Sequence, residues 1–358
     1  MGKRRIALTF KENGQNGGPY ISHKRVLDSS LKELYDFVPL TIPRARSLIT
    51  PKGMRKFVNS IRNSNADVIQ IAGLQLDGIL TMYASKKAKV KTIVAVHGRM
   101  TESPAIRGMK KLFYEIGEKW TVDNADASFG VSDYVSSWKI CKSAPNYYGT
   151  IYNLPPQVKK MNKKDREETR KHLGLTESDI VFISTGRITR EKGFDTLWEA
   201  IKRVDNTLPI KYVIVGDGEF LQQWKEEVQG TNFENKIIFL GYQKDVNEFL
   251  NASDAFIICT KHETLCISLL EAGMYGLPLI ATDVGGIPEI VNDQNGVLVE
   301  CEDVEGFANA ITAVACNREK REKFSKAAME YISTKFSEKE ILNRLGQLYE
   351  MVLKNGIK

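Results

Sequence analysis

The sequence predicts an α/β fold of two doubly wound parallel sheets, and three observations carry that expectation. Short apolar segments alternate with amphipathic helical stretches from end to end, the pattern of parallel strands covered by helices on both faces. The length of 358 residues suits two domains, at about 150 residues for each. Near the middle, Asn153–Lys164 combines two prolines with a charged, aperiodic tract and reads as a linker.

In chain order, the first half offers strands at Arg5–Phe10, Phe37–Thr41, Asp67–Ile71, Thr92–His97, Ala127–Val131 and Thr150–Tyr152. The second half offers Ile180–Thr185, Lys211–Val215, Lys236–Leu240, Ala255–Thr260, Leu279–Thr282 and Val297–Val299. These are short runs rich in apolar and β-branched residues, bounded by turn formers. A last helix near Ser337–Lys354 aligns Ile341, Leu345, Leu348 and Val352 and is expected to pack on the body of the protein. Two further stripes occur in the first half. Ile106, Met109, Phe113, Ile116 and Trp120 run beside Lys110 and Lys111, and Met54, Phe57, Val58 and Ile61 run beside Lys52, Arg55, Lys56 and Arg62. Each reads first as core with a solvated basic face, and second as a membrane contact.

Composition excludes several classes. Hydrophobic residues at 42% and charged residues at 27% are globular values, so disorder and fibrous architectures are disfavoured. The longest apolar runs, such as Ala255–Cys259, fall far short of the roughly 18 residues that cross a bilayer. Lys3-Arg4-Arg5 is followed only by Ile6–Phe10 before Lys11-Glu12-Asn13-Gly14, too short a run for export. Met1-Gly2 with Ile6 at position six does not fit myristoylation. The scattered cysteines Cys141, Cys259, Cys266, Cys301 and Cys316 suit reduced thiols of the cytosol, and His23, His97, His172 and His262 lack ligand spacing. The net charge of +7 hides an asymmetry: residues 1–150 hold 24 Lys+Arg against 12 Asp+Glu, and the remainder 27 against 32. The first half therefore expects an anionic partner, whether membrane phosphates, nucleic acid or an acidic substrate.

Two constellations carry chemistry. In Ser184-Thr-Gly-Arg-Ile-Thr-Arg-Glu-Lys-Gly193, Arg187 and Lys192 stand on a loop between a strand and a helix, a cradle for phosphate oxygens. Such pairs are common on loops and gain meaning only from their neighbours. In Glu263-Thr-Leu-Cys-Ile-Ser-Leu-Leu-Glu271, a helix starting near Thr264 would set Glu271 about 12 Å along the axis from Glu263. The free N–H groups of Leu265, Cys266 and Ile267 would then face an anionic ligand. No Asp-x-Asp metal motif occurs, and Asp217-Gly218-Glu219 reads first as a turn after a strand. No metal and no cofactor is expected.

Read with Gly186-Arg187 and Lys192-Gly193, the run from Glu271-Ala-Gly-Met-Tyr-Gly to Gly285-Gly-Ile-Pro-Glu-Ile-Val291 resembles the retaining GT-B glycosyltransferases of glycosyltransferase family four. Val215-Gly-Asp-Gly218 and Phe239-Leu-Gly-Tyr242 extend the resemblance over residues 165–335. Gly17-Gly18, Val96-His97-Gly98, Val131-Ser132 and Ile151-Tyr-Asn153 extend it more loosely into the first half. The resemblance implies two Rossmann-like domains facing a cleft. Residues 1–155 would bind acceptor, residues 156–336 a nucleotide sugar, and 337–358 would pack back on the first domain. It implies Arg187 and Lys192 at the donor diphosphate, Glu271 at the ribose, Glu263 at the transferred sugar, His97 near the sugar phosphate, and Gly17-Gly18 and Tyr242 among the donor-facing residues. Cys266 stands where the family often has glycine. The implied reaction is metal-independent hexosyl transfer with retention, from a UDP-sugar to a lipid-linked or growing glycan of the cell surface. The basic half would lie on an anionic membrane, at the inner face of the cell membrane. A nucleotide-sugar epimerase and a non-catalytic membrane-docking subunit are the alternatives; nucleic-acid binding lacks any supporting motif.

Overall fold

The computed structural model describes residues 2–12, 17–102 and 106–354. Met1, the Asn13-Gly14 end of the first apolar run and the last four residues of the 337–358 segment lie outside them. The chain divides into two compact units, Met1–Leu154 with Glu338–Lys358, and Pro155–Ser337.

The first unit carries a parallel sheet of β1 (Arg4–Lys11), β2 (Tyr35–Ile42), β3 (Val68–Ala72), β4 (Lys91–Val96), β5 (Ala127–Gly130) and β6 (Tyr147–Thr150), in the order β2-β1-β3-β4-β5-β6. The second unit carries β7 (Ile180–Thr185), β8 (Ile210–Val215), β9 (Ile237–Gly241), β10 (Ala255–Ile258), β11 (Leu279–Thr282) and β12 (Gly296–Val299), in the order β12-β11-β10-β7-β8-β9. Each sheet grows outward in both directions from its first strand, so crevices open beyond the carboxyl ends of β1/β3 and of β7/β10, where doubly wound sheets take ligands. Ile6–Leu8 and Phe182–Ile183 are fully buried, as strands covered on both faces must be.

Three expectations fail locally. The strand expected at Thr150–Tyr152 lies at Tyr147–Thr150. Ile151 continues the β5 pairing by a single bond from its N–H to Gly130 O at 2.9 Å. The linker expected at Asn153–Lys164 does hold the division between the units, at Leu154/Pro155, but it is shorter than expected: Asn153 and Leu154 are buried inside the first unit, with Arg25 donating to Leu154 O at 2.8 Å. It ends inside the helix Lys163–His172, which Asn162 and Asp165 open with a reciprocal capping box. Third, the stripe of Met109, Phe113 and Ile116 is solvent-exposed rather than core, although Ile106 is buried. The second stripe is core as read: Phe57, Val58 and Ile61 are buried.

The helix Glu338–Lys354 buries Ile341, Leu342, Leu345, Leu348, Tyr349 and Val352 in the first unit. Each such aliphatic side chain contributes about 1.5–3 kcal/mol on burial. Tyr349, absent from the expected stripe, donates its hydroxyl to Gln70 Oε1 at 2.6 Å. Gln70 Nε2 in turn donates to His23 Nε2 at 3.1 Å, and His23 Nδ1 donates to Thr9 O at 2.9 Å. This buried chain fixes the neutral imidazole, because a second ring proton would face the Gln70 amide protons. Desolvation lowers the His23 pKa to about 4, against a weaker opposing effect of the Thr9 carbonyl.

Tyr349→Phe strands the Gln70 amide oxygen in the core and is expected to cost about 1–3 kcal/mol, read as a lower urea midpoint with unchanged slope. An unfolded His23 binds a proton below about pH 6.5 while the folded one stays neutral down to about 4. Stability is therefore expected to fall as pH drops through that window, on the order of 1 kcal/mol per pH unit. His23→Gln should flatten this acid limb in urea titrations at several pH values.

Candidate active site

The second sheet places its chemistry at its switch point. β7 and β10 are paired neighbours, and the loops leaving their carboxyl ends hold Arg187 and Lys192 on one side and Glu263 on the other. Three contacts stitch these loops together. Lys261 N–H donates to Glu191 O at 3.0 Å. Gly193, at φ 71°, passes so close to β10 that a Cβ there would sit 1.8 Å from Cys259 O, which leaves glycine as the fitting residue. Lys192 Nζ then bonds Glu263 Oε1 at 2.5 Å, both side chains being 18% exposed.

The neighbouring loops close around this pair. Gly216 after β8 lies against the Gly186 carbonyl, where a Cβ would approach within 1.8 Å. Ile188 N–H donates to Asp217 O at 2.9 Å, and Gly286 N–H after β11 donates to Glu263 O at 3.1 Å. Asp217 accepts from Gly218 N–H at 2.7 Å, as a turn residue does. Arg187 stands outward with its side chain 69% exposed, and its nearest acid is Glu191 at 4.0 Å. The loops thus present a neutralised Lys–Glu pair and, on the same loop as Lys192, a solvent-exposed guanidinium.

The helix after β10 starts later than expected. It spans Ile267–Met274 with Cys266 at its N-cap. Its unsatisfied mouth is therefore that of Ile267, Ser268 and Leu269, and the expected set of Leu265, Cys266 and Ile267 is corrected by two residues. The physical reason is the hydrogen bond from Gly286 to Glu263, which holds the chain before Leu265 outside the helix. The axial rise now separates only Ile267 and Glu271, by about 6 Å, so the 12 Å helical spacing from Glu263 does not apply. Glu271 is half-buried on this helix. Leu265 and Cys266 are buried. The Cys266 thiol lies 3.3 Å from Ser268 Oγ, and burial pushes its pKa up to about 12, with the Glu263 charge adding to the effect. It is a neutral packing group at the helix mouth. Tyr242 is exposed just beyond β9, whose Gly241 carbonyl accepts from Gly216 N–H at 2.8 Å.

In the first unit, Gly17 and Gly18 open the helix Gly18–Asp28 after β1, at that sheet's own switch point. A Cβ at either would meet nothing within 4 Å, so the backbone there is accessible. His97 follows directly on β4 and is buried, with Nε2 lacking a hydrogen-bond partner among the described residues. Burial first, and the nearby His23 second, lower its pKa to about 3. His97 is therefore a neutral hydrogen-bonding group at pH 7, with no proton to give as an acid. The described residues contain no group of three His, Cys, Asp or Glu side chains able to share a metal ion. No described helix is long and apolar enough to cross a membrane.

Residue-by-residue reading missed the supports of this site: Thr189, whose Oγ1 accepts from Lys192 N–H at 3.3 Å, and Glu191 and Gly286, which act through backbone. Thr189 and Glu191 sit between the two cations in sequence; the Thr189 contact is local, at i,i+3, whereas Glu191 and Gly286 act through long-range backbone bonds that no local pattern signals.

Comparison with known proteins gives this geometry its context. The family described as Glycosyl transferases group 1 matches residues 165–331, which include both switch-point loops. The UDP-Gal:alpha-D-GlcNAc-diphosphoundecaprenol alpha-1,3-galactosyltransferase of Escherichia coli is 30% identical over 330 residues, covering 86% of this chain and 79% of that protein. The GDP-mannose-dependent monoacylated alpha-(1-6)-phosphatidylinositol monomannoside mannosyltransferase of Corynebacterium glutamicum is 26% identical over 320 residues, covering 84% and 81%. Among solved structures, Anabaena Alr3699/HepE in complex with UDP and glucose superposes with a TM-score of 0.79 at 19% identity, over 97% of this chain and 100% of that one. That likeness is one of fold, the two Rossmann-like domains of the GT-B class. With the switch-point loops in place and this similarity along most of its length, the chain belongs to the group 1 glycosyltransferases.

Proposed function

We propose that this glycosyltransferase moves a hexosyl unit from a nucleoside diphosphate sugar to a lipid-linked or growing glycan, with retention of configuration and without a divalent metal. The observation that carries the reading is the Lys192–Glu263 pair at the β7/β10 switch point, with the exposed Arg187 on the same loop as Lys192. Before donor arrives, Glu263 neutralises Lys192, and the free positive potential is that of Arg187 and the mouth of the helix Ile267–Met274. A diphosphate entering there draws Lys192 into a shared position between phosphate oxygen and carboxylate, while the other Glu263 oxygen accepts from a sugar hydroxyl. Glu271, further along the same helix, takes the ribose hydroxyls, and Tyr242 beyond β9 is a further donor contact. In the first unit, His97, uncharged, offers its unpartnered Nε2 as a hydrogen-bonding group just beyond β4.

Transfer breaks the anomeric carbon–phosphate oxygen bond and forms the bond to the acceptor oxygen on the same face. The acceptor's proton passes to the departing phosphate oxygen, and the accumulating diphosphate charge is met by Arg187 and Lys192. With Lys192 on its carboxylate at 2.5 Å, Glu263 is engaged as a binding group rather than poised as a nucleophile.

The named donors of the relatives, UDP-galactose in the Escherichia coli enzyme and GDP-mannose in the Corynebacterium enzyme, set the choices for this chain. We favour a UDP-sugar. The diphosphoundecaprenol acceptor in the first name supports a carrier-linked acceptor here, met at the inner face of the cell membrane.

Lys192→Ala is expected to keep the fold and lower kcat/KM by about 100-fold, near-native turnover being the result that overturns the assignment. Gly193→Ala should push the loop off Cys259 and raise the donor KM. In a thermal-shift panel UDP-sugars should raise Tm above GDP- and ADP-sugars by mass action. Transfer should be unchanged in EDTA; activity lost in EDTA and restored by manganese contradicts the metal-free mechanism.

A further inference from the structure

We propose that the outward face of the helix Gly108–Asp123 is a membrane-docking surface, which takes the interfacial zone of an anionic bilayer. Met109, Leu112, Phe113 and Ile116 are 86%, 54%, 57% and 62% exposed. They recur at i, i+3, i+4 and i+7 and so form one continuous apolar stripe. A run of large apolar side chains facing water marks a contact surface rather than ordinary surface variation.

The outward facing of this stripe is built into the helix. Its opposite side is anchored by Tyr114, Thr121 and Val122 in the core and by Glu118, which is fully buried. Glu118 accepts from Arg99 Nε at 2.9 Å, Met100 N–H at 2.7 Å and Thr101 Oγ1 at 3.0 Å. Gly117 lies against Ile79 of the neighbouring helix, where a Cβ would come within 2.7 Å of its Cδ1. Rotating the stripe inward would expose a paired carboxylate and break that packing.

Charge identifies the occupant. Arg107, Lys110 and Lys111 stand at and just inside the amino end of the helix, and its first turn contains no acidic residue. Cations there oppose the helix dipole, so they do not serve helix stability. Lys110 borders the apolar stripe on one side; on the other lie the exposed Glu115 and, further round, Lys111, so the basic charge outweighs the single acid there, and each Lys or Arg near an anionic surface strengthens attachment. Ile49, 67% exposed, follows Arg44 and Arg46 beyond the carboxyl end of β2, and the helix from Gly108 likewise follows the carboxyl end of β4. Both features therefore lie at the sheet edge that also carries Gly17-Gly18 and His97. Docking there brings a carrier-linked acceptor to that edge, an orientation that rests on the acceptor reading above; the surface itself stands on the stripe and its charges.

The experiment is flotation of the full chain with phosphatidylcholine vesicles, with and without phosphatidylglycerol, across a salt series. The wild type is expected to float with the anionic vesicles. Leu112→Ser/Phe113→Ser/Ile116→Ser should lower the bound fraction at least about tenfold. Lys110→Glu/Lys111→Glu should lose the anionic preference and its salt dependence while leaving thermal unfolding unchanged. The proposal is overturned if the wild type does not float, or if the triple variant floats as well as the wild type. It is also overturned if a dimer becomes monomeric in the triple variant without change in vesicle binding, since a second copy then covers the stripe. UDP-sugar stabilisation measured without vesicles separates the two readings. Flotation that follows the stripe without donor stabilisation keeps the docking surface and sinks the donor assignment, and donor stabilisation without flotation does the reverse.

Discussion

One ion pair organises the second domain's site. Lys192 and Glu263 come from loops that leave different strands, and they meet because Gly193 lets one loop pass against the Cys259 carbonyl with no side chain between. A partly exposed pair of this kind contributes modestly to stability. Its value is position: the carboxylate holds the ammonium at the switch point before any ligand is present, so the cation does not have to be ordered during binding. The glycines at 186, 193 and 216 and the backbone bonds from Ile188, Lys261 and Gly286 all serve that one placement.

The first domain uses a different device. Its centre is a neutral hydrogen-bonded chain from Tyr349 through Gln70 and His23 to Thr9, buried at the β1/β3 switch point. A charge there would be unpaired in a low-dielectric interior. The imidazole is kept neutral by the same desolvation that keeps His97 neutral beyond β4. One domain thus places charges at its crevice, and the other removes them from its core.

Much of this was legible in the sequence, and the reasons differ by element. β7 and β11 lie at Ile180–Thr185 and Leu279–Thr282 as read, because apolar runs end sharply at Gly186 and Asp283. β6 was displaced because its pairing with β5 shifts register between Ser128 and Phe129, and its residues are only half-buried, which blurs the apolar run. The start of the helix after β10 was misjudged because the loop after β11 bonds Glu263, a long-range contact that local propensity does not contain. Periodicity identified the helix Gly108–Asp123 but assigned the wrong face to the core. The deciding residue, Glu118, is a carboxylate that pattern reading sends to solvent, and its partner Arg99 lies in the loop after β4.

The helix Glu338–Lys354 belongs to the first unit although residues 155–337 form the second. As the chain leaves the ribosome, the first sheet is therefore complete long before the helix that covers it has been made. Until then Tyr35, Phe37 and the Gln70 amide await Tyr349. The second unit holds all its strands before that point. Nascent chains arrested before Glu338 should thus carry a finished second unit and an unsealed first one, so the order of maturation is the reverse of the order of synthesis.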